Sequence, residues 1–124
     1  MPSSGQELGI RLCRLEELPD RGSRGFDPFG QGHDTLFVVR EGGAIHAWMD
    51  SCPHLPGTSL AWRKDAYLNF ARDRIVCGAH GALFDIASGI CLLGPCLGQA
   101  LERVPAWITD EGWVHIRSRP GAPV

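Results

Sequence analysis

Two stretches of the sequence, SCPHLPG at residues 51–57 and VCGAHGALFD at residues 76–85, each carry one cysteine and one histidine. The pattern is C-x-H in the first stretch and C-x-x-H in the second, and both are rich in glycine or proline. One such pair alone fits a packed core pair, half of a zinc site or half of an iron–sulfur site. Two matched pairs favour one shared metal site. Its candidate ligands are Cys52, His54, Cys77 and His80.

The segments around these pairs have the pattern of short β-strands. Glycines and prolines, 16 and 9 in number, break the chain into short pieces, and helical periodicity is weak. The pattern predicts an all-β fold, a small antiparallel β-sandwich or barrel, with one helical turn or short helix in residues 59–70. The predicted strands are 9–15, 36–40, 44–48, 74–77, 82–85, 104–108 and 113–116.

Length and composition indicate an ordinary globular protein. The chain has 124 residues, 44% of them hydrophobic, which predicts a single domain over residues 1–124 with loose ends at about 1–7 and 118–124. A net charge of −2 gives no basic field for nucleic acid. The sequence has no apolar run long enough for a bilayer and no signal-peptide pattern, so we expect a soluble, cytoplasmic protein without a membrane partner.

The five cysteines argue for metal or redox use. An odd number without an export signal disfavours a full disulfide framework. Cys91 and Cys96 are spaced closely enough to form a disulfide or a second redox pair, although two buried thiols are the more common outcome for a cytoplasmic protein.

The types of donor atom limit which metals the site can bind. Thiolate and imidazole ligands suit zinc or iron–sulfur chemistry and disfavour calcium and magnesium. A Cys₂His₂ zinc finger usually pairs cysteine with cysteine and histidine with histidine, whereas each stretch here mixes the two. Mixed stretches favour a two-iron cluster in which one iron takes both cysteines and the other both histidines. A zinc ribbon of unusual ligand order is the alternative.

With the following G-x-x-F-D and the later Gly94-Pro95, this pattern resembles the Rieske [2Fe–2S] proteins, and in particular the soluble ferredoxins of ring-hydroxylating oxygenase systems. The resemblance extends over most of the chain, from about Leu8 to Ile116. It implies a [2Fe–2S] cluster in a cluster-binding subdomain of two hairpin-like loops, covered by the loop at Gly94-Pro95. By family pattern, Cys52 and Cys77 hold the buried iron, and His54 and His80 hold the outer iron.

The resemblance also bears on the reduction potential. Respiratory relatives carry a serine and a tyrosine in the second stretch, whose hydroxyls raise the potential, and a disulfide between the two loops. Here Ala82 and Phe84 stand at the hydroxyl positions, and Gly57, Gly78 and Ala79 leave no loop-to-loop disulfide. We therefore expect a potential at the low end of the Rieske range of about −150 to +300 mV.

The function implied is electron transfer without catalysis. A low-potential Rieske ferredoxin carries single electrons from an NAD(P)H-dependent flavoprotein reductase to a terminal oxygenase or another oxidoreductase, which dock near His54 and His80. The alternatives are a small Rieske subunit of a larger complex, as in nitrite reductases, and a zinc-binding interaction module. Residues 55–76 form a longer span than in compact ferredoxins, so the identity of the partner stays open.

Overall fold

The computed structural model describes residues 9–117 and contains ten β-strands in three antiparallel sheets. The predicted loose ends, about 1–7 and 118–124, lie outside the described residues. The strands are β1 (Gly9–Arg14), β2 (Gly22–Phe26), β3 (Leu36–Glu41), β4 (Ala44–Met49), β5 (Ile75–Val76), β6 (Leu83–Phe84), β7 (Cys91–Leu93), β8 (Arg103–Val104), β9 (Ala106–Ile108) and β10 (Trp113–Arg117). The all-β prediction is confirmed.

The central sheet has the strand order β2-β3-β4-β8. Strands β3 and β4 form the hairpin predicted from their alternating pattern, with Glu41 opposite Ala44 and Gly42 in the left-handed region at φ 61°. The edge strand β2 was not predicted, and it pairs with β3 over its whole length. The sheet therefore has one central hairpin with a partner strand on each side.

The two outer sheets are β1-β10-β9 and β5-β6-β7. The predicted hairpins between β5 and β6 and between β9 and β10 are both present. The single strand expected over 104–108 is instead two strands that meet at Pro105, with β8 on the central sheet and β9 on an outer one. Proline has no N–H to donate to a sheet ladder, which explains the break at this residue.

Two separate groups of buried side chains lie on either side of the central sheet. Strand β3 alternates between them, because Leu36 and Val38 belong to one group while Phe37 and Val39 belong to the other. The first group also contains residues of β1 and β10 and is called here the scaffold core. The second group contains Cys52 and Cys77 and is called the site core. The two cores thus share strand β3, which contributes side chains from one face to the scaffold core and from the other face to the site core.

The helical turn expected in residues 59–70 is wrong. Over these residues the chain makes a tight turn, with an isolated bridge between Arg63 and Ala66, and then a second bridge from Leu68 to Ile75. Asp65 takes a left-handed φ of 65°, which is incompatible with continuing a right-handed helix. The fully buried Tyr67 and the buried Leu68 anchor this segment in the site core. Within residues 9–117, no helix is long and apolar enough to cross a membrane.

Candidate metal centre

The first Cys/His loop begins where β4 ends, and the carboxylate of Asp50 fixes its geometry. Asp50 accepts hydrogen bonds from the Leu60 backbone N–H at 2.8 Å, from the Ser59 hydroxyl at 2.8 Å and from the Tyr67 hydroxyl at 3.1 Å. These bonds tie both ends of the loop to one side chain. Burial, with the charge of Asp50 as the next contribution, raises the pKa of Tyr67, so its hydroxyl stays a donor.

The second loop joins β5 to β6 in a tight turn. The Cys77 N–H donates to the Ala82 carbonyl at 2.9 Å, and the Gly81 N–H donates to the Cys77 carbonyl at 2.7 Å. Gly81 has a φ of 73°, a left-handed conformation in which a residue with a side chain is strained. The turn therefore holds Cys77 and the following imidazole on one short arc.

The two loops touch each other at Gly78. Its N–H donates to the Leu60 carbonyl at 2.8 Å, and a Cβ placed on Gly78 would lie 2.6 Å from the Cβ of Trp62. Only a glycine fits here without a shift of one loop. This contact brings the cysteine of one loop close to the histidine of the other.

Three of the four predicted ligands form one tight group. The sulfur of Cys77 lies 3.5 Å from Nδ1 of His80, and the sulfur of Cys52 lies 3.9 Å from the same nitrogen. The ligand atoms of these three residues all lie within 4.8 Å of one another. His54 joins them through its ring, which meets the His80 ring edge to face at a centroid distance of 4.6 Å. All four predicted residues are thus adjacent.

The site has a buried end and an outer end. Both thiols are fully buried, whereas His80 is partly exposed and His54 is exposed. Burial raises the pKa of the Cys77 thiol, with the adjacent Cys52 sulfur contributing next. A buried thiolate pair is costly unless a cation lies beside it, which is what iron would supply. The donor set and its polarity therefore fit a two-iron cluster with unlike ends.

A third loop lies against the second one. It follows β7 and contains Gly94 and Pro95, the residues expected to cover the cluster. A Cβ on Gly94 would lie 2.8 Å from Cα of Ala82 and 3.0 Å from its Cβ, so the two backbones are in direct contact. Gly94 also has a left-handed φ of 113°. Ala82 and Phe84 are both fully buried and present no hydroxyl.

Comparison with known proteins settles the family. The family model described as "Rieske [2Fe-2S] domain" matches residues 10–108. The chain belongs to the Rieske [2Fe–2S] family. Its cofactor is accordingly a [2Fe–2S] cluster, and the Cys/His donors described above fit one. A search of curated protein sequences gives no significant match.

Solved structures with the same fold as this Rieske domain include several ferredoxins. The chain in the complex of reduced oxygenase and oxidized ferredoxin in carbazole 1,9a-dioxygenase is 23% identical, with a TM-score of 0.70, covering 90% of this chain and 94% of that one. The ferredoxin of carbazole 1,9a-dioxygenase from Nocardioides aromaticivorans IC177 is 21% identical, with a TM-score of 0.69, and the match covers 90% of this chain and 98% of that one. The Sphingomonas yanoikuyae B1 ferredoxin is 25% identical, with a TM-score of 0.64, covering 89% and 98%.

The sequence did not point to Asp50, Leu60 or Tyr67 as supports of the site. Asp50 stands two residues before Cys52, and its position between a strand and a C-x-H motif is the only available signal. Leu60 and Tyr67 belong to the 55–76 span, whose length the sequence analysis related only to the identity of the partner. In this Rieske domain that span packs behind the ligands as well as facing solvent.

Proposed function

We propose that this Rieske domain is a one-electron carrier in which Cys52 and Cys77 bind the buried iron and His54 and His80 bind the outer iron. The observation that carries the proposal is the polarity of the site, with two thiols fully buried and two imidazoles in edge-to-face contact at its outer end. A bound Rieske cluster accepts and donates single electrons. The burial of the thiols excludes water from the inner end of the site. The imidazole edges give an electron the short path from the outer iron to the protein surface.

The surface beside the histidines supports a docking role. Leu55 next to His54 on the first loop, Leu93 at the end of β7 and Leu97 on the third loop are 54%, 60% and 68% exposed. Apolar side chains at the centre of a contact, surrounded by polar groups, are typical of protein interfaces. We propose that redox partners dock over these leucines, so that their own cofactors come close to His54 and His80.

The partners we propose are a flavoprotein reductase as donor and a terminal oxygenase or another oxidoreductase as acceptor, with the carrier soluble and cytoplasmic. A similar ferredoxin forms a complex with the oxygenase of carbazole 1,9a-dioxygenase. The chain itself performs no catalysis in this proposal. Alanine and phenylalanine at positions 82 and 84 offer no side-chain hydroxyl to stabilise the reduced state from these two positions, which supports a low potential.

The test is the metal content and spectroscopy of the purified protein. We expect two irons and two sulfides per chain, visible absorption, and a Rieske-type EPR signal after reduction with dithionite. His54→Ala is expected to abolish that signal, because the outer iron loses a ligand. The matched control is His46→Ala, on β4, where the imidazole lies 3.1 Å from Glu41 and away from the site. Stoichiometric zinc without EPR signal would refute the proposal, and so would an unchanged spectrum in His54→Ala.

A further inference from the structure

Cys91 and Cys96 form a second pair of buried thiols that the proposed ligand set does not use. Cys91 begins β7 and is 2% exposed, while Cys96 lies on the third loop and is 1% exposed. Their sulfurs are 3.1 Å apart, and both are free thiols. A disulfide has a sulfur–sulfur distance of about 2.05 Å, so a movement of about 1 Å closes the bond.

The backbone, and not the side chains alone, keeps the two sulfurs together. The Cys91 N–H donates to the Gln99 carbonyl at 2.7 Å, and the Gln99 N–H donates to the Cys96 carbonyl at 2.8 Å. The Gly98 N–H donates back to the Cys91 carbonyl at 3.3 Å. These bonds fix both ends of the loop, so the reduced structure already has the backbone that a disulfide needs.

We propose that Cys91 and Cys96 are a two-electron dithiol–disulfide couple that locks the third loop. The oxidant is a low-molecular-weight disulfide such as oxidised glutathione. Two S–H bonds of the protein and one S–S bond of glutathione disulfide break, and one protein S–S bond forms. The two electrons and two protons pass to two glutathione thiols, so the exchange is balanced without another reactant.

Burial makes this exchange slow while the loop is closed. Burial, with the neighbouring Cys91 sulfur as the next contribution, raises the pKa of the Cys96 thiol to about 12, which keeps the reactive thiolate scarce. Exchange therefore needs the third loop to open together with the exposed end of β7, where Leu93 lies, and the exposed Leu97. A couple gated in this way responds to sustained oxidation and not to brief exposure.

Closing the bond acts on the second ligand loop. Gly94, between the two cysteines, contacts Ala82 backbone to backbone, and Ala82 lies two residues after His80. Oxidation is therefore expected to restrain the third loop and, through the contact between Gly94 and Ala82, the second ligand loop as well. This consequence rests on the proposed function, whereas the couple itself does not.

The couple is tested on the holoprotein equilibrated in glutathione buffers of increasing oxidised fraction. The samples are quenched in acid, alkylated, cleaved between the two cysteines and analysed by mass spectrometry. We expect one two-electron transition in which alkylation of Cys91 and Cys96 is lost together and a peptide linked between them appears. Cys13, buried on β1, should stay alkylated at every ratio and is the internal control. Full alkylation of both cysteines throughout would overturn the proposal, as would linkage to Cys77 or stable glutathione adducts.

The effect on the site has a separate readout. In the oxidised wild type, visible absorbance is expected to bleach several-fold more slowly on heating than in the reduced wild type, because the covering loop opens less readily. In Cys91→Ala and Cys96→Ala the rate should no longer depend on the glutathione ratio. A disulfide without any change in bleaching refutes the locking role. A protein that lacks the cluster but still forms the disulfide refutes the proposed function and leaves the couple supported.

Discussion

Gly78 has no room for a side chain at the contact between the two ligand loops, and Gly78→Ala tests that contact directly. A Cβ at this position would lie 2.6 Å from Cβ and 2.8 Å from Cα of Trp62. Rotation of the Trp62 side chain does not relieve the overlap, because Cα and Cβ do not move with it, and the Trp62 backbone N–H is bonded to the Ala66 carbonyl at 3.1 Å. The substitution therefore pushes the loops apart.

The expected cost follows from the size of the overlap. Adding one methyl group to a well-packed contact destabilises a protein by about 1–3 kcal/mol. If the contact is lost before the unfolding transition state, the whole cost appears in the unfolding rate. At a factor of ten for each 1.36 kcal/mol, unfolding becomes about 5- to 150-fold faster.

The assay is a jump of the holoprotein into guanidinium, followed by tryptophan fluorescence and by visible absorbance. Fluorescence reports the loss of packing, and absorbance reports the loss of the metal centre. The matched control is Gly43→Ala in the β3–β4 turn, where an added Cβ meets no atom within 4 Å and φ is not left-handed. If Gly78→Ala unfolds at the wild-type rate, as Gly43→Ala should, the proposed loop contact is wrong.

Three further substitutions test the site and its supports. Phe84→Tyr is expected to raise the reduction potential measured by voltammetry, because it adds a hydroxyl donor at a fully buried position; an unchanged or lower potential would contradict this. Tyr67→Phe removes the hydrogen bond to Asp50 at 3.1 Å and should lower the free energy of unfolding by about 1–2 kcal/mol. An unaltered midpoint of guanidinium unfolding would show that this hydrogen bond does not stabilise the protein. Hydrogen bonds from the hydroxyl and backbone N–H of Ser88 hold the pKa of Asp85 below its ordinary value. The contribution of ionised Asp85 to stability is therefore present above the unfolded pKa of about 3.9 and is lost as pH falls through the lower folded pKa. The thermal midpoint of Asp85→Asn should therefore lie below that of the wild type at about pH 6, with a difference that shrinks toward about pH 2, and a pH-independent difference would refute the assignment.

The strands that could be predicted are those with a local pattern. The β3–β4 hairpin has two apolar segments around Glu41-Gly42-Gly43, and local turn chemistry is enough to specify it. Strand β2, GSRGF, has no such pattern, because two of its five residues are glycines. A Cβ on Gly25 would overlap the Asp34 carboxylate and would lie 2.6 Å from the Tyr67 hydroxyl, so part of the pressure for a glycine here comes from a residue 42 positions away. Sequence reasoning on local windows does not detect that requirement.

That the four candidate ligands lie close together was predictable for a different reason. A C-x-H and a C-x-x-H stretch are rare enough to indicate a shared site without knowledge of the fold. What the pattern did not contain is how the two loops are held together. That depends on Asp50 and Tyr67, whose hydrogen bond joins residues 17 positions apart. The wrong prediction of a helical turn over residues 59–70 has the same origin, because that segment is shaped by burial of Tyr67 and not by local propensity.

The alternation of strand β3 between two cores has a consequence for how the cofactor is acquired. Leu36 and Val38 complete the scaffold core with residues of β1 and β10 and with none from the ligand loops. This part of the chain thus has its own apolar core to drive its folding before any iron or sulfide is present. The site core, by contrast, includes Cys52 and Cys77 themselves. We expect the apoprotein to show slow amide exchange in the scaffold core and fast exchange in the ligand loops. The cluster would then be inserted into loops that lie on one face of a sheet that has already formed.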